Sequence, residues 1–203
     1  MKVAIIGGTG RAGKEIGAEL ARRGHRVTAI SRHPEQAEAI EGVTAVAGDV
    51  NHEDALADTI RGHDAVVSAV MFTDTDPAAL IGVVRASGVP RYLVVGGAGS
   101  LEVAPGVPLI TTPEFPEAYK VEAGRGGDFL SCLRRVDDID WTFLSPSALF
   151  FVGARKGGFR LGKDALLVDA NGDSSISYAD YAIAMADEIE NPQHSRTRFT
   201  VGY

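Results

Sequence analysis

An α/β fold wound on both faces of a parallel sheet is predicted by three features of this sequence: short unbroken apolar runs, helix-length segments between them, and turn residues at the junctions. The runs are Val3 to Ile6, Val27 to Ile30, Val43 to Val46, Ala65 to Val70, Tyr92 to Val95 and Trp141 to Leu144. Strands covered on both faces read as continuous apolar stretches rather than as alternating ones. A repeated strand-helix unit joins parallel strands through right-handed crossovers, which gives a doubly wound sheet.

In chain order, Ala12, Ile16 and Leu20 recur every four residues and share one helical face, and Gly24 closes that helix. Asp76-Pro77 is an N-cap followed by a first-turn proline, with Leu80, Ile81 and Val84 as the buried stripe and Gly88 as the stop. Gly124, Gly126 and Gly127 interrupt an otherwise long helix and predict either a break or a close backbone contact. After Leu144 the pattern changes, and Gly153 to Gly172 reads as an irregular lobe or hairpin. Ser177 caps a further helix with Asp180 three residues on, its inner face formed by Tyr181, Ala182, Met185 and Ile189. Arg198 to Val201 reads as a final strand. The expectation is one domain over 1–203, with about 150–203 forming a small C-terminal lobe packed over the strand ends to close a substrate pocket.

Composition bounds the function. With 45% apolar and 23% charged residues the chain is globular, and at 203 residues it buries roughly 70% of its unfolded surface without disulfides or metal. The single Cys132 excludes an internal bridge. Acidic side chains outnumber basic ones 27 to 20, a formal charge of −7, which argues against nucleic acid as partner. No apolar run approaches the roughly 18 residues of a membrane span, and Met1 leads directly into a strand; the expectation is a cytoplasmic chain, monomer or homodimer, acting on a small molecule.

The strongest chemical signal is Val3-Ala4-Ile5-Ile6-Gly7-Gly8-Thr9-Gly10-Arg11-Ala12-Gly13, a strand passing through a glycine turn into a helix. Backbone N–H groups at such a helix start hold a pyrophosphate, and glycine lets it approach. Gly7, Thr9, Gly10, Arg11, Ala12 and Gly13 are therefore candidate cofactor contacts. Gly8 to Lys14 also reads G-x-x-x-x-G-K, but the next residue is Glu15, where a P-loop needs a hydroxyl for magnesium.

About 20 residues past that turn, an acidic residue would grip the ribose 2′-OH of NAD. Here the second strand ends Ser31-Arg32-His33-Pro34, with no acid. A hydroxyl and a guanidinium suit a 2′-phosphate, so Ser31 and Arg32 favour NADP(H) over NAD(H). Gly48-Asp49-Val50, after the third strand, places Asp49 and Val50 beside the adenine.

These stretches, with Val95 to Leu101, resemble the atypical short-chain dehydrogenases with an NAD(P)-binding domain. Phe115 to Lys120, Trp141 to Pro146, Ile176 to Ala182 and Arg198 to Tyr203 are similar, more narrowly, to the NADH-flavin reductase group and its NmrA-like relatives. The resemblance implies a Rossmann-like fold in which Ala69, Val70, the Gly97 to Ser100 turn, Ser145, Pro146 and Leu149 surround the nicotinamide half. The departure concerns catalysis. Typical short-chain dehydrogenases use Tyr-x-x-x-Lys, whereas Tyr119 and Lys120 are adjacent, about 100° apart on a helix, and the residue four after Tyr119 is Ala123.

Ser100, Tyr119 and Lys120 are the catalytic candidates, Ser100 as a donor to a substrate carbonyl. A flavin or quinone acceptor demands less of the protein, because hydride passes to an electron-poor ring and solvent supplies the proton. The expected activity is NAD(P)H-dependent reduction of such an acceptor. A nucleotide-sugar epimerase or dehydratase, and a non-catalytic NADP(H)-sensing regulator similar to NmrA-like proteins, are the alternatives. Cys132 reads as a small core residue, the five histidines lack metal spacing and read as surface residues, and Asp137, Asp138 and Asp140 read as a solvated turn.

Overall fold

Successive residues of the first strand, β1 (Lys2–Ile6), bury in opposite directions: Val3 and Ile5 join one apolar layer, Ala4 and Ile6 the other. That is the physical reason its apolar run is unbroken, since each side chain lies within 3% of full burial and each large one contributes roughly 1.5–3 kcal/mol. The computed structural model describes residues 1–203. After β1 come α1 (Arg11–Arg22), β2 (Arg26–Ser31), β3 (Val43–Ala47), α2 (Glu53–Ile60), β4 (Ala65–Ser68), α3 (Pro77–Ser87) and β5 (Arg91–Val95). A short hairpin of β6 (Glu102–Ala104) and β7 (Val107–Pro108) precedes α4 (Lys120–Leu133) and β8 (Asp140–Ser145). The chain ends with β9 (Leu149–Phe151), β10 (Arg160–Gly162), β11 (Ser175–Ser177), α5 (Tyr178–Glu190) and β12 (Thr197–Gly202).

The main sheet has the order β10-β12-β8-β5-β4-β1-β2-β3, parallel throughout except for the β10–β12 pair. From β1 the chain winds first toward β3 and then, from β4, the other way, so the β1–β4 boundary is the switch point where open α/β sheets bind ligands. Helices α2, α3 and α4 cover one face, with Phe129, Trp141 and Phe143 in that layer. Helices α1 and α5 pack together over the other, around Ile16, Leu20, Tyr181 and Met185.

The doubly wound, Rossmann-like class is the observed one. Within the C-terminal part, α5 and β12 are integral to the layers: β12 pairs with β8, and α5 packs on α1. What stands outside the main sheet there is the segment of the parallel β9–β11 pair and its loops. The Ser177 hydroxyl accepts from the Asp180 amide at 3.1 Å. The fully buried Asp180 carboxylate turns outward from the cap, accepting from Lys156 N and Gly157 N at 2.8 Å each and from the Tyr203 hydroxyl at 2.7 Å. One side chain thus fixes the loop after β9 to the chain terminus.

The structure decides between the two readings of the α4 glycines and corrects the readings of the acidic turn and the histidines. Helix α4 runs unbroken through its glycines, and the close contact is real at one of them: a Cβ on Gly126 would stand 3.0 Å from the Phe72 ring. The Asp137–Asp140 turn is not merely solvated, because Asp138 pairs with Arg85 and Asp140 with the buried Arg91. Three histidines do structural work. His25 contacts Glu190, His63 contacts Thr28 and the Ile60 carbonyl, and His194 stacks on Phe199 while contacting Glu188. No helix is long and apolar enough to cross a membrane.

Candidate cofactor site

A cleft of about 660 Å³ opens at the C-terminal ends of β1, β2 and β4, over the switch point. Its floor is the glycine turn. Gly7 has φ +80° and, with Gly8, donates its amide to the Ile30 carbonyl at 2.9 and 3.1 Å, stitching the turn to β2.

The glycines divide into two kinds. A Cβ on Gly7 would lie 2.4 Å from the Ala69 carbonyl oxygen, on Gly8 2.7 Å from Ala29, and on Gly13 2.3 Å from the Gly7 carbonyl oxygen. Those three are required by the fold itself. Gly10 is exposed, and the nearest atom to its Cβ would be the Gly7 oxygen at 3.3 Å. That contact is tight but far milder than at the other three, so the fold needs a glycine there less, and the missing side chain leaves open the space above it, which is the cleft.

Gly10 is also the N-cap of α1. It offers no side-chain cap, and the first turn of Arg11, Ala12 and Gly13 holds no acidic residue. The positive end of the helix dipole therefore stands uncompensated at the cleft floor. The P-loop alternative finds no support in the geometry, because the Lys14 ammonium is paired with Glu38.

At the end of β2 the Ser31 hydroxyl is buried and has no hydrogen-bond partner. A buried hydroxyl without a partner costs free energy unless a ligand supplies one. Beside it Arg32 is exposed, lines the cleft and enters no ion pair. Asp49 closes the same side. Its Oδ1 accepts from Asn51 N and from Asn51 Nδ2 at 2.9 Å each, and the Asn51 backbone bond is the main reason its carboxyl is held below the usual range. Val50, Ile6 and Ile30 give the cleft an apolar lining.

Of the residues singled out in the sequence, Gly7, Thr9, Gly10, Ser31, Arg32, Asp49, Val50, Ala69 and Val70 line this cleft together. Arg11, Ala12 and Gly13 follow in the first turn of α1. Gly97 follows β5, and Ser145 ends β8 with Pro146 next to it; all three lie outside the cleft lining, as does the exposed Leu149. The Ser145 hydroxyl is likewise buried and unpartnered.

The catalytic candidates are not assembled at the cleft. The Ser100 hydroxyl accepts from Arg198 Nη1 at 3.1 Å, an arginine also held by Asp164. Tyr119 is 65% exposed on the turn ahead of α4, and the Lys120 ammonium pairs with Glu117 at 2.6 Å. Two other tyrosines are buried and held protonated by burial. The Tyr92 hydroxyl bonds to Ser68 and the Tyr181 hydroxyl donates to the Leu144 carbonyl, so neither is free to act as an acid.

Sequence reasoning missed His33, Gln36, Asn51, Met71, Asp74 and Thr75, all of which line the cleft. Only Asn51 left a signal, the Asp49-x-Asn51 spacing of a side-chain-capped turn.

The NAD(P)H-binding family matches residues 7–192, which includes every helix and all of the cleft lining except Ile6. The chain belongs to that family. It is 44% identical over 211 residues to uncharacterized protein YwnB of Bacillus subtilis, covering 99% of this chain and 98% of that one. Among solved structures it is similar to the "putative epimerase" of Bacteroides thetaiotaomicron, with 41% identity, a TM-score of 0.93, and coverage of 100% of this chain and 96% of that one. It is similar also to the "putative NADH-flavin reductase" of Streptococcus pneumoniae, with 36% identity, a TM-score of 0.84, and coverage of 100% and 99%. A dinucleotide fits the residues present: an anion-seeking helix start, an open glycine beneath it, and a buried hydroxyl and an unpaired guanidinium at one end.

Proposed function

We propose that this protein is an NADPH-dependent oxidoreductase acting on a flavin- or quinone-like small-molecule acceptor, with neither nucleic acid nor a membrane as partner. The observation that carries the cofactor choice is Arg32, a cation without an ion-pair partner beside the orphaned Ser31 hydroxyl, in the place where an NAD-selective chain carries an acid. The nicotinamide supplies hydride when the cofactor is bound.

The chain's own contribution is binding and orientation. The α1 amides and Gly10 receive the pyrophosphate, Arg32 and Ser31 hold the 2′-phosphate, and Asp49 with Val50 border the adenine. Toward β5 and β8, Ala69, Val70, Gly97, Ser145 and Pro146 frame the reacting end. The separation of Tyr119 and Lys120 from the cleft, and from each other's helical face, supports an acceptor that takes its proton from solvent.

The test is anaerobic loss of reduced-nicotinamide absorbance with free flavin or a small quinone as acceptor. Turnover above the protein-free rate supports the reading. NADPH binding without turnover of any such acceptor would move the assignment to a cofactor-sensing regulator, and turnover of a sugar nucleotide in their place would move it to an epimerase.

A further inference from the structure

Between β4 and α3 the chain runs through Met71–Thr75, and Met71, Asp74 and Thr75 line the cleft together with the glycine turn. This wall is not held by its own strand. The Glu122 carboxylate, on the first turn of α4, accepts from Phe72 N at 2.7 Å and from Thr73 N at 2.9 Å, one oxygen to each amide.

Below that contact the Phe72 ring is buried. It packs on Phe129 and Phe143 with centroids 5.4 and 6.2 Å away, in the slot that Gly126 leaves open. Three residues of α4, Glu122, Gly126 and Phe129, thus provide an anchor and a socket for one loop, and the sequence separation between Phe72 and Glu122 is 50 residues.

We propose that Glu122 is a positioning residue of the cofactor cleft: it fixes Met71–Thr75 as the wall on the β4–β5 side and so governs affinity for the nicotinamide half of the dinucleotide. The direction comes from the sheet order. Ser31, Arg32 and Asp49 sit on the β2–β3 side of the switch point, whereas Phe72 packs against Phe143 of β8 and lies near Gly97 after β5. The wall that Glu122 holds therefore reaches from the cleft it shares with Arg32 and Asp49 toward β5 and β8, the side of the reacting end. Two hydrogen bonds to a carboxylate order a segment that otherwise has an exposed Met71, Thr73 and Asp74. The inference rests on the reading that the cleft binds NADPH.

The experiment measures dissociation constants of NADPH and of adenosine 2′,5′-bisphosphate, which lacks the nicotinamide half, for the native chain, Glu122→Ala and Glu122→Gln. Amide hydrogen exchange at Phe72 and Thr73 is followed alongside. Glu122→Ala is expected to weaken NADPH about tenfold while adenosine bisphosphate changes less than about twofold, with faster exchange at both amides. Glu122→Gln retains one acceptor oxygen, so its NADPH loss falls between, and it carries the same comparison should the alanine variant not fold. Equal losses for the two ligands, or none, in a folded variant overturn the positioning role and leave the proposed function standing. Failure of the native chain to bind NADPH overturns both.

Discussion

Arg155 reaches across to Glu19 with two donors, Nε at 3.0 Å and Nη2 at 3.3 Å, tying the loop after β9 to the C-terminal half of α1. Arg22 and Arg23 converge on the same carboxylate, which is 4% exposed. Burial works to raise the Glu19 pKa, and hydrogen bonds from Arg155, Arg22 and Arg23 more than offset it, taking it from an ordinary 4.5 down to about 2.

A carboxylate with a depressed folded pKa contributes stability that is complete above its unfolded value and drains away as pH falls toward the folded one. Thermal stability should therefore fall between about pH 4.5 and 2, and Glu19→Gln should flatten that part of the curve. At neutral pH the substitution should cost about 2–3 kcal/mol, below the roughly 3–5 of a fully enclosed pair because Arg22 and Arg155 can rehydrate. Scanning calorimetry of both chains across that range checks it; parallel curves would rule out Glu19 as the acid-labile group.

The unpaired Arg32 gives the most selective prediction. A charge-assisted bond of roughly 1.5–3 kcal/mol is open to a 2′-phosphate and not to a 2′-hydroxyl. Arg32→Ala should weaken NADPH roughly 10- to 100-fold and leave NADH nearly unchanged. Fluorescence titration with each cofactor decides it, and equal losses would remove Arg32 from the 2′ site.

The two kinds of glycine should respond differently to a side chain. Gly7→Ala puts a Cβ 2.4 Å from the Ala69 carbonyl in a backbone at φ +80°, so it should destabilise the fold itself, by about 2 kcal/mol or more. Gly10→Val should leave the melting temperature within a few degrees and abolish NADPH binding, since its side chain enters the cleft. Paired melting curves and calorimetric titrations separate the cases. Unaltered affinity in folded Gly10→Val would make the turn purely structural.

What the sequence disclosed follows from how local each feature is. Strands such as Val3–Ile6 were legible because both faces of the sheet are covered, and the Asp76 cap because its partners Ala78 and Ala79 are two and three residues away. The β1-turn-α1 unit was legible for the same reason. The Glu122 contact with Phe72 and Thr73 was not, since it joins residues about 50 apart whose proximity exists only after the sheet has formed. Gly126 was visible as a glycine out of place in a helix, but choosing a socket over a break required the ring of Phe72. The reading of Asp140 failed likewise, since its partner Arg91 comes from a strand 49 residues away.

Tyr119 offers the last test, of the chemistry itself. In a Tyr-x-x-x-Lys enzyme, removing the hydroxyl removes the general acid and costs roughly 100-fold or more. Here the ring is 65% exposed, ahead of α4, and its neighbour Lys120 is committed to Glu117 rather than to the phenol. The Lys120 ammonium is taken up by another partner, and the cleft lies elsewhere. Tyr119→Phe should therefore keep kcat for flavin or quinone reduction within about fivefold, far short of the loss of an acid. Substitutions that reshape the cleft, such as Val70→Phe, should raise KM and lower kcat together, because orientation of the two reacting rings controls the barrier. Steady-state rates for both variants, with NADPH saturating, decide between the cases. A 100-fold or larger drop in kcat for Tyr119→Phe at unchanged NADPH affinity would show that the hydroxyl reaches the reacting atoms after all, and would reopen the epimerase or dehydratase assignment.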